Sequence, residues 1–169
     1  MVGMSISGTW TIAPEQFDSP AAAMLWRAYY TEVSDRWYQL REGRATDPAE
    51  LEREVAAVSG AEFAPPRGVL LVARFGGEAV GTAGVRLLDD GTAELKRVFV
   101  RKDMRGKGGA VLLAEAAEDA ARALGAERMV LDTRLDLVEA RALYARLGYV
   151  ESPPHNDEMY AECWYRKQL

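Results

Sequence analysis

Apolar residues recur at three- and four-residue spacing through Leu25, Trp26, Tyr29, Tyr30, Val33 and Trp37, the pattern of a helix with one aromatic face turned to a core. Asp18, Ser19 and Pro20 precede it with a cap and a proline for the first helical position, and residues 10–13 before them read as a short strand. Thr46 or Asp47 caps a second helix that opens Pro48-Ala49-Glu50-Leu51 and runs to about residue 58; Pro65-Pro66 then breaks any helix. From Val69 the pattern changes to an unbroken apolar run, residues 69–73, ended by a Gly76-Gly77 hairpin signal. Residues 79–88 and 93–100, separated by the turn Asp89-Asp90-Gly91, extend that strand into an antiparallel meander. Residues 110–124 are rich in Ala and Leu, with Glu115, Glu118, Asp119 and Arg122 on the other face, which predicts an amphipathic helix stopped by Gly125. A buried-type strand at 129–132, a helix over 138–147 stopped by Gly148, and strands at 149–151 and 159–167 complete the chain. A meander joined to strand, helix, strand and helix implies an α+β fold whose mixed sheet contains one parallel crossover.

Composition narrows the class. With 169 residues, 49% of them apolar and 28% charged, the chain suits one soluble domain, residues 1–169, without repeats, low-complexity tracts or a dividing linker. No apolar run approaches the roughly 18 residues of a membrane span, and residues 1–10 lack the basic flank and apolar stretch of a secretory signal. A cytoplasmic protein with no membrane partner is expected. Cys163 is the only cysteine and His155 the only histidine, which argues against an internal disulfide and against the usual zinc sites, so no metal is expected. A net charge of −5 also disfavours nucleic acid as a partner. Yet Lys96, Arg97, Arg101, Lys102, Arg105 and Lys107 crowd one stretch against Asp103 alone, a basic island suited to an anion, or to a solvated strand edge and turn.

The sharpest feature lies inside that island. Arg105-Gly106-Lys107-Gly108-Gly109-Ala110 stands between a strand and a strong helix, where consecutive glycines and unpaired helix N–H groups make a cradle for phosphate. The P-loop pattern fails because Gly108 follows Lys107 where Ser or Thr is required. The Rossmann pattern fails because its third glycine would fall at Val111. The turn instead resembles that of the GNAT superfamily of acyl-CoA-dependent N-acyltransferases, whose Arg/Gln-x-x-Gly-x-Gly/Ala motif is matched by Arg105, Gly108 and Ala110. The likeness extends to residues 93–100 and 140–149, roughly the C-terminal 100 residues of the chain. Lys102 departs from a frequent proline and Leu137 from a frequent asparagine, neither of which removes the backbone amides of the turn.

The resemblance implies a mostly antiparallel sheet with helices on both faces, an acceptor side formed by about residues 1–68 and an acetyl-CoA-binding core formed by about residues 69–169. Arg105, Gly106, Lys107, Gly108, Gly109 and Ala110 would hold the diphosphate of acetyl-CoA. The backbone of Val98, Phe99 and Val100 would pair with the pantetheine arm as an added strand. Glu94 matches the position of a general base, and a pocket would raise its pKa toward working pH; the same spacing fits a surface Glu beside Lys96 or Arg97. Tyr144 matches the tyrosine that gives a proton to the departing thiolate, or else is a half-buried aromatic beside Leu143 and Leu147.

Other residues read more plainly. Asp132 and Thr133 end a strand that would splay from the one carrying Val98, where they face the acceptor or simply close a turn. His155 reads as a solvated loop histidine near the acceptor mouth, and Cys163 as a small core residue, so direct transfer is favoured over a covalent acyl-enzyme. The expected reaction is transfer of an acetyl group to the primary amine of a small molecule. A protein or peptide amine as acceptor, and a non-catalytic acyl-CoA sensor, stay open as alternatives, as does pairing into a homodimer through the terminal strands.

Overall fold

The computed structural model describes residue 3, the backbone of residues 5–7, and residues 9–169 except Asp90. The middle of the turn Asp89-Asp90-Gly91 therefore lies outside the described residues, but Asp89 still closes it by accepting the N–H groups of Gly91 (2.9 Å) and Thr92 (2.8 Å). The described strands are β1 (Ser5–Ser7), β2 (Trp10–Glu15), β3 (Gly68–Phe75), β4 (Glu78–Leu87), β5 (Thr92–Val100), β6 (Arg128–Thr133), β7 (Val150–Ser152) and β8 (Cys163–Gln168). They form one sheet in the order β1-β2-β3-β4-β5-β6-β8-β7. Every pairing is antiparallel except β5 with β6, the two strands joined by the crossover helix α3 (Gly109–Ala123).

Local chemistry sets the helix limits. Helix α1 (Pro20–Glu42) starts where the Ser19 side chain accepts the Ala22 N–H with proline at the first position, and it stops at Gly43 in the left-handed conformation. Helix α2 (Pro48–Ala57) is capped by Asp47 rather than Thr46. Helix α4 (Val138–Arg146) comes after β6. The sheet is covered on both faces, and β3 shows it by alternation: Val69, Leu71 and Ala73 meet the alanines of α3, while Leu70 and Val72 meet Trp26 and Leu25 of α1. The last strand begins at Cys163, four residues later than its apolar pattern suggests. Before it the Ala161 N–H turns back to the Glu158 carbonyl, and Met159 projects 83% exposed.

Two irregularities in β5 shape the centre of the sheet. Its parallel pairing with β6 covers only Thr92, Ala93 and Glu94, after which residues 95–100 run on without that neighbour and leave a seam. On its other side the register with β4 shifts between Thr82, opposite Phe99, and Gly84, opposite Lys96. This bulge holds Arg97 at φ 56°, a left-handed conformation rare for a residue of its kind.

Candidate active site

The glycine turn ends at the start of α3, whose N-terminus carries no side-chain cap. Gly106 and Gly108 hold φ of 80° and 84°, values that place successive peptide N–H groups around a concavity. Gly109 serves differently, since a Cβ there would lie 2.3 Å from the Trp10 ring. Trp10 Nε1 donates to the Lys107 carbonyl at 3.0 Å, so one indole both wedges and ties the turn. Arg105 donates through Nε to the Val100 carbonyl at 2.8 Å and forks onto both carboxylate oxygens of Glu32 on α1, at 2.9 and 2.8 Å. The turn therefore fits an anion through its unpaired helix N–H groups, with the Arg105 guanidinium beside it held by Glu32 and the Val100 carbonyl.

The basic island is largely paired. Arg97 meets Glu62 at 3.3 Å, Arg101 meets Asp103 and Glu78, and Lys96 lies 3.8 Å from Glu158. The Arg97 guanidinium also lies over the rings of Trp26 and Phe63.

Glu94 stands where β5 and β6 part. It is 1% exposed, so it is no surface residue. Arg86, its cross-strand partner on β4, donates to Oε1 at 2.9 Å. His155 Nε2 lies 3.0 Å from Oε2, and Asn156 Nδ2 donates to the same oxygen at 3.2 Å. Burial pushes the carboxyl up, but Lys96, the hydrogen bonds from His155 and Arg86, and the charge of Arg86 outweigh it and hold Glu94 below the ordinary carboxylate value of 4.5. The expected rise toward neutrality is thus reversed. The carboxyl is in a pocket, but with three donors attached.

Asn156 joins this group to Asp132, donating to Oδ2 at 2.8 Å, while its own Oδ1 accepts the indole N–H of Trp164 at 2.9 Å. His155, expected in solvent, is instead folded into the cluster because the loop before β8 lies across the splayed strands. Ligand-type atoms of Glu94, Asp132 and His155 fall within 4.8 Å of one another, a spacing compatible with a metal ion. The Asn156 amide nitrogen already lies within 3.3 Å of all three residues, and its two hydrogens tie the carboxylates of Glu94 and Asp132 together.

Tyr144 of α4 is 6% exposed, its ring against Tyr149 (5.7 Å) and Tyr165 (6.4 Å). Burial, with Tyr29 and Asp132 adding, raises its pKa well above that of a free phenol, so it stays a proton donor through the neutral range. Phe99 is buried against Leu25, Val72 and Tyr29, whereas Val98 and Val100 continue the seam edge. Cys163 is buried, and its thiol donates to the Thr133 carbonyl at 3.5 Å.

Spacing alone does not reveal Trp10, Arg86, Asn156 or Trp164. Arg86 is within reach of sequence reasoning, since the β4–β5 register places it opposite Glu94. The other three depend on long-range packing that leaves no local signal.

The model of the acetyltransferase (GNAT) family matches residues 23–149. The chain belongs to that family. An uncharacterized N-acetyltransferase of Schizosaccharomyces pombe is 36% identical over 96 residues, 56% of this chain and 59% of that protein. The IAA acetyltransferase of Azospirillum brasilense is 35% identical over 85 residues, 50% of this chain and 56% of that protein. The chain thus matches little more than half the length of these curated relatives. Among solved structures, the PaiA N-acetyltransferase of Thermoplasma acidophilum in complex with coenzyme A aligns with a TM-score of 0.72 at 12% identity, over 96% of this chain and all of that one. The GNAT fold expected from the glycine turn is therefore the fold found. No helix among the described residues is long and apolar enough to cross a membrane.

Proposed function

We propose that this GNAT chain is an N-acetyltransferase that moves an acetyl group from acetyl-CoA to the primary amine of a small molecule by direct attack. The observation that carries the reading is the seam between β5 and β6, which opens beside the capless N-terminus of α3 and has the buried Glu94 at its apex. Residues 105–110 suit the diphosphate, and the free edge of Val98, Phe99 and Val100 suits an extended amide-bearing arm that adds as a strand. Peptide N–H groups on that edge are suited to polarise the thioester carbonyl.

Glu94 supplies the negative charge on which removal of a proton from the amine depends, directly or through a relay. Tyr144 supplies a proton to the thiolate. A small acceptor fits better than a protein because α1 roofs the acceptor side. The Trp37 ring meets Tyr160 at 4.9 Å, and Arg36 reaches the Asp136 carbonyl at 2.7 Å, contacts from α1 to the later loops that support a narrow approach. In this reading α1 and α2 supply the roof of the acceptor side and residues 69–169 supply the acetyl-CoA core together with the loop that carries His155.

The test is thiol release from acetyl-CoA across a panel of small amines and of peptides with free N-termini. Turnover confined to small amines supports the reading. Turnover confined to peptides replaces the acceptor, and tight acetyl-CoA binding without any turnover makes the chain a sensor.

A further inference from the structure

Within the proposed acetyl transfer, on which this inference rests, we infer that the proton leaves the amine for His155 Nδ1, and that Glu94 acts through the imidazole as its positioning partner. The assignment comes from counting donors. Trp164 Nε1 can only donate, so the oxygen it meets at 2.9 Å fixes the orientation of the Asn156 amide and turns its NH2 group toward the cluster. Those two hydrogens go to Asp132 Oδ2 at 2.8 Å and Glu94 Oε2 at 3.2 Å. None remains for His155.

His155 Nε2 lies 3.0 Å from Glu94 Oε2, a carboxylate already paired with Arg86 at 2.9 Å. Two lone pairs at that distance would repel, so Nε2 carries the hydrogen and donates it. The lone pair of the ring is left on Nδ1, which is buried and has no hydrogen-bond partner. A buried acceptor left open in an otherwise satisfied network marks the place of a missing donor. An alkylammonium is such a donor. The arrangement is that of a carboxylate-oriented imidazole base, here assembled from β5 and the loop before β8.

The charged and titratable groups around the ring come from every side: Arg86 on β4, Glu94 and Lys96 on β5, Asp132 on β6, and Glu158 beyond it in the loop. The proton count closes. An ammonium gives one proton to Nδ1, and the resulting imidazolium is held by Glu94. The freed nitrogen lone pair forms the C–N bond as the C–S bond breaks. The thiolate takes the Tyr144 proton, Tyr144 recovers one from the attacking nitrogen, and the imidazolium releases its proton to solvent.

Because His155 is the only histidine, nitrogen-15 labelling of histidine gives a single pair of ring signals. The resting protein is expected to show a protonated Nε2 and an unprotonated Nδ1. A proton on Nδ1 with Nε2 bare overturns the inference whatever the activity. His155→Gln keeps a donor toward Glu94 but removes the base. It is expected to lower kcat by about 100-fold or more, with the amine KM and calorimetric acetyl-CoA affinity within about threefold of the native protein. A His155→Gln kcat within a few-fold of native sinks the assignment. If the native protein turns over no amine, the proposed function falls first, and with it the catalytic role, while the ring signals still decide where the proton sits.

Discussion

Trp10 and Gly109 occupy one space: the indole ring fills the place where any side chain at position 109 would begin, while its Nε1 holds the Lys107 carbonyl at 3.0 Å. A strand remote in sequence thus shapes the anion turn. Gly109→Ala is expected to destabilise the fold by about 1–3 kcal/mol through overpacking, and to weaken acetyl-CoA binding because the turn must shift. Trp10→Phe removes both the hydrogen bond and the far ring atoms that pack on Gly109, so its loss should be about 2–4 kcal/mol. Urea denaturation with calorimetric titration of acetyl-CoA distinguishes the two.

Glu32 holds Arg105 through both oxygens at a half-exposed site. Glu32→Gln removes a negative charge from the neighbourhood of the proposed diphosphate site and frees the guanidinium. Acetyl-CoA affinity should rise about fivefold at low ionic strength, on the order of 1 kcal/mol, and the gain should shrink in high salt. Titrations at two salt concentrations check both statements.

Glu94 stabilises the fold only while it is ionised. Its folded pKa lies below the ordinary 4.5, so the unfolded chain takes up the proton first as the pH falls. The stability that this charge contributes is complete above the ordinary value and is lost as the pH drops through the folded one. Glu94→Gln should therefore lose stability relative to the native protein at neutral pH, and the gap should narrow steadily below pH 4.5. Denaturation midpoints of both proteins across that window give the answer. Turnover at neutral pH should fall about 100-fold in the same variant.

Tyr144 carries its hydroxyl in a buried aromatic nest, where the raised pKa keeps it protonated. Tyr144→Phe preserves the ring contacts with Tyr149 and Tyr165 and should leave the melting temperature nearly unchanged. Loss of the proton donor should lower kcat about tenfold to 100-fold with little change in amine KM. Steady-state kinetics on the best amine measures it.

Most of this architecture is legible in local chemistry. Ser19-Pro20 and Gly43 mark the ends of α1 because capping depends on adjacent residues, and the Gly76-Gly77 turn marks a hairpin for the same reason. The departures come from long-range terms. The electrostatics of Glu94 depend on Arg86, a register partner, and on His155 and Asn156, about sixty residues away in sequence. Burial favours a raised pKa, whereas the charge of Lys96, the hydrogen bonds of His155 and Arg86 and the charge of Arg86 favour a lowered one, and only the folded chain shows which wins. The bulge at Arg97 is hidden too, since arginine carries no sign of a left-handed backbone. Met159 and Tyr160 have the apolar character of strand residues, yet both point outward, Tyr160 to receive the ring of Trp37.

The parting of β5 from β6 bears on how safely this molecule keeps an unsatisfied ribbon of backbone. Bare strand edges at the rim of a sheet invite foreign chains to stack on them. Here the bare stretch, residues 95–100, is not at the rim: β4 pairs with it on one side, and β6 is the next strand across the seam on the other. Under the proposed function the ribbon finds its partner only when the slender arm of the cosubstrate lies along it, so the same gap that leaves the backbone wanting would also be where the visitor is gripped.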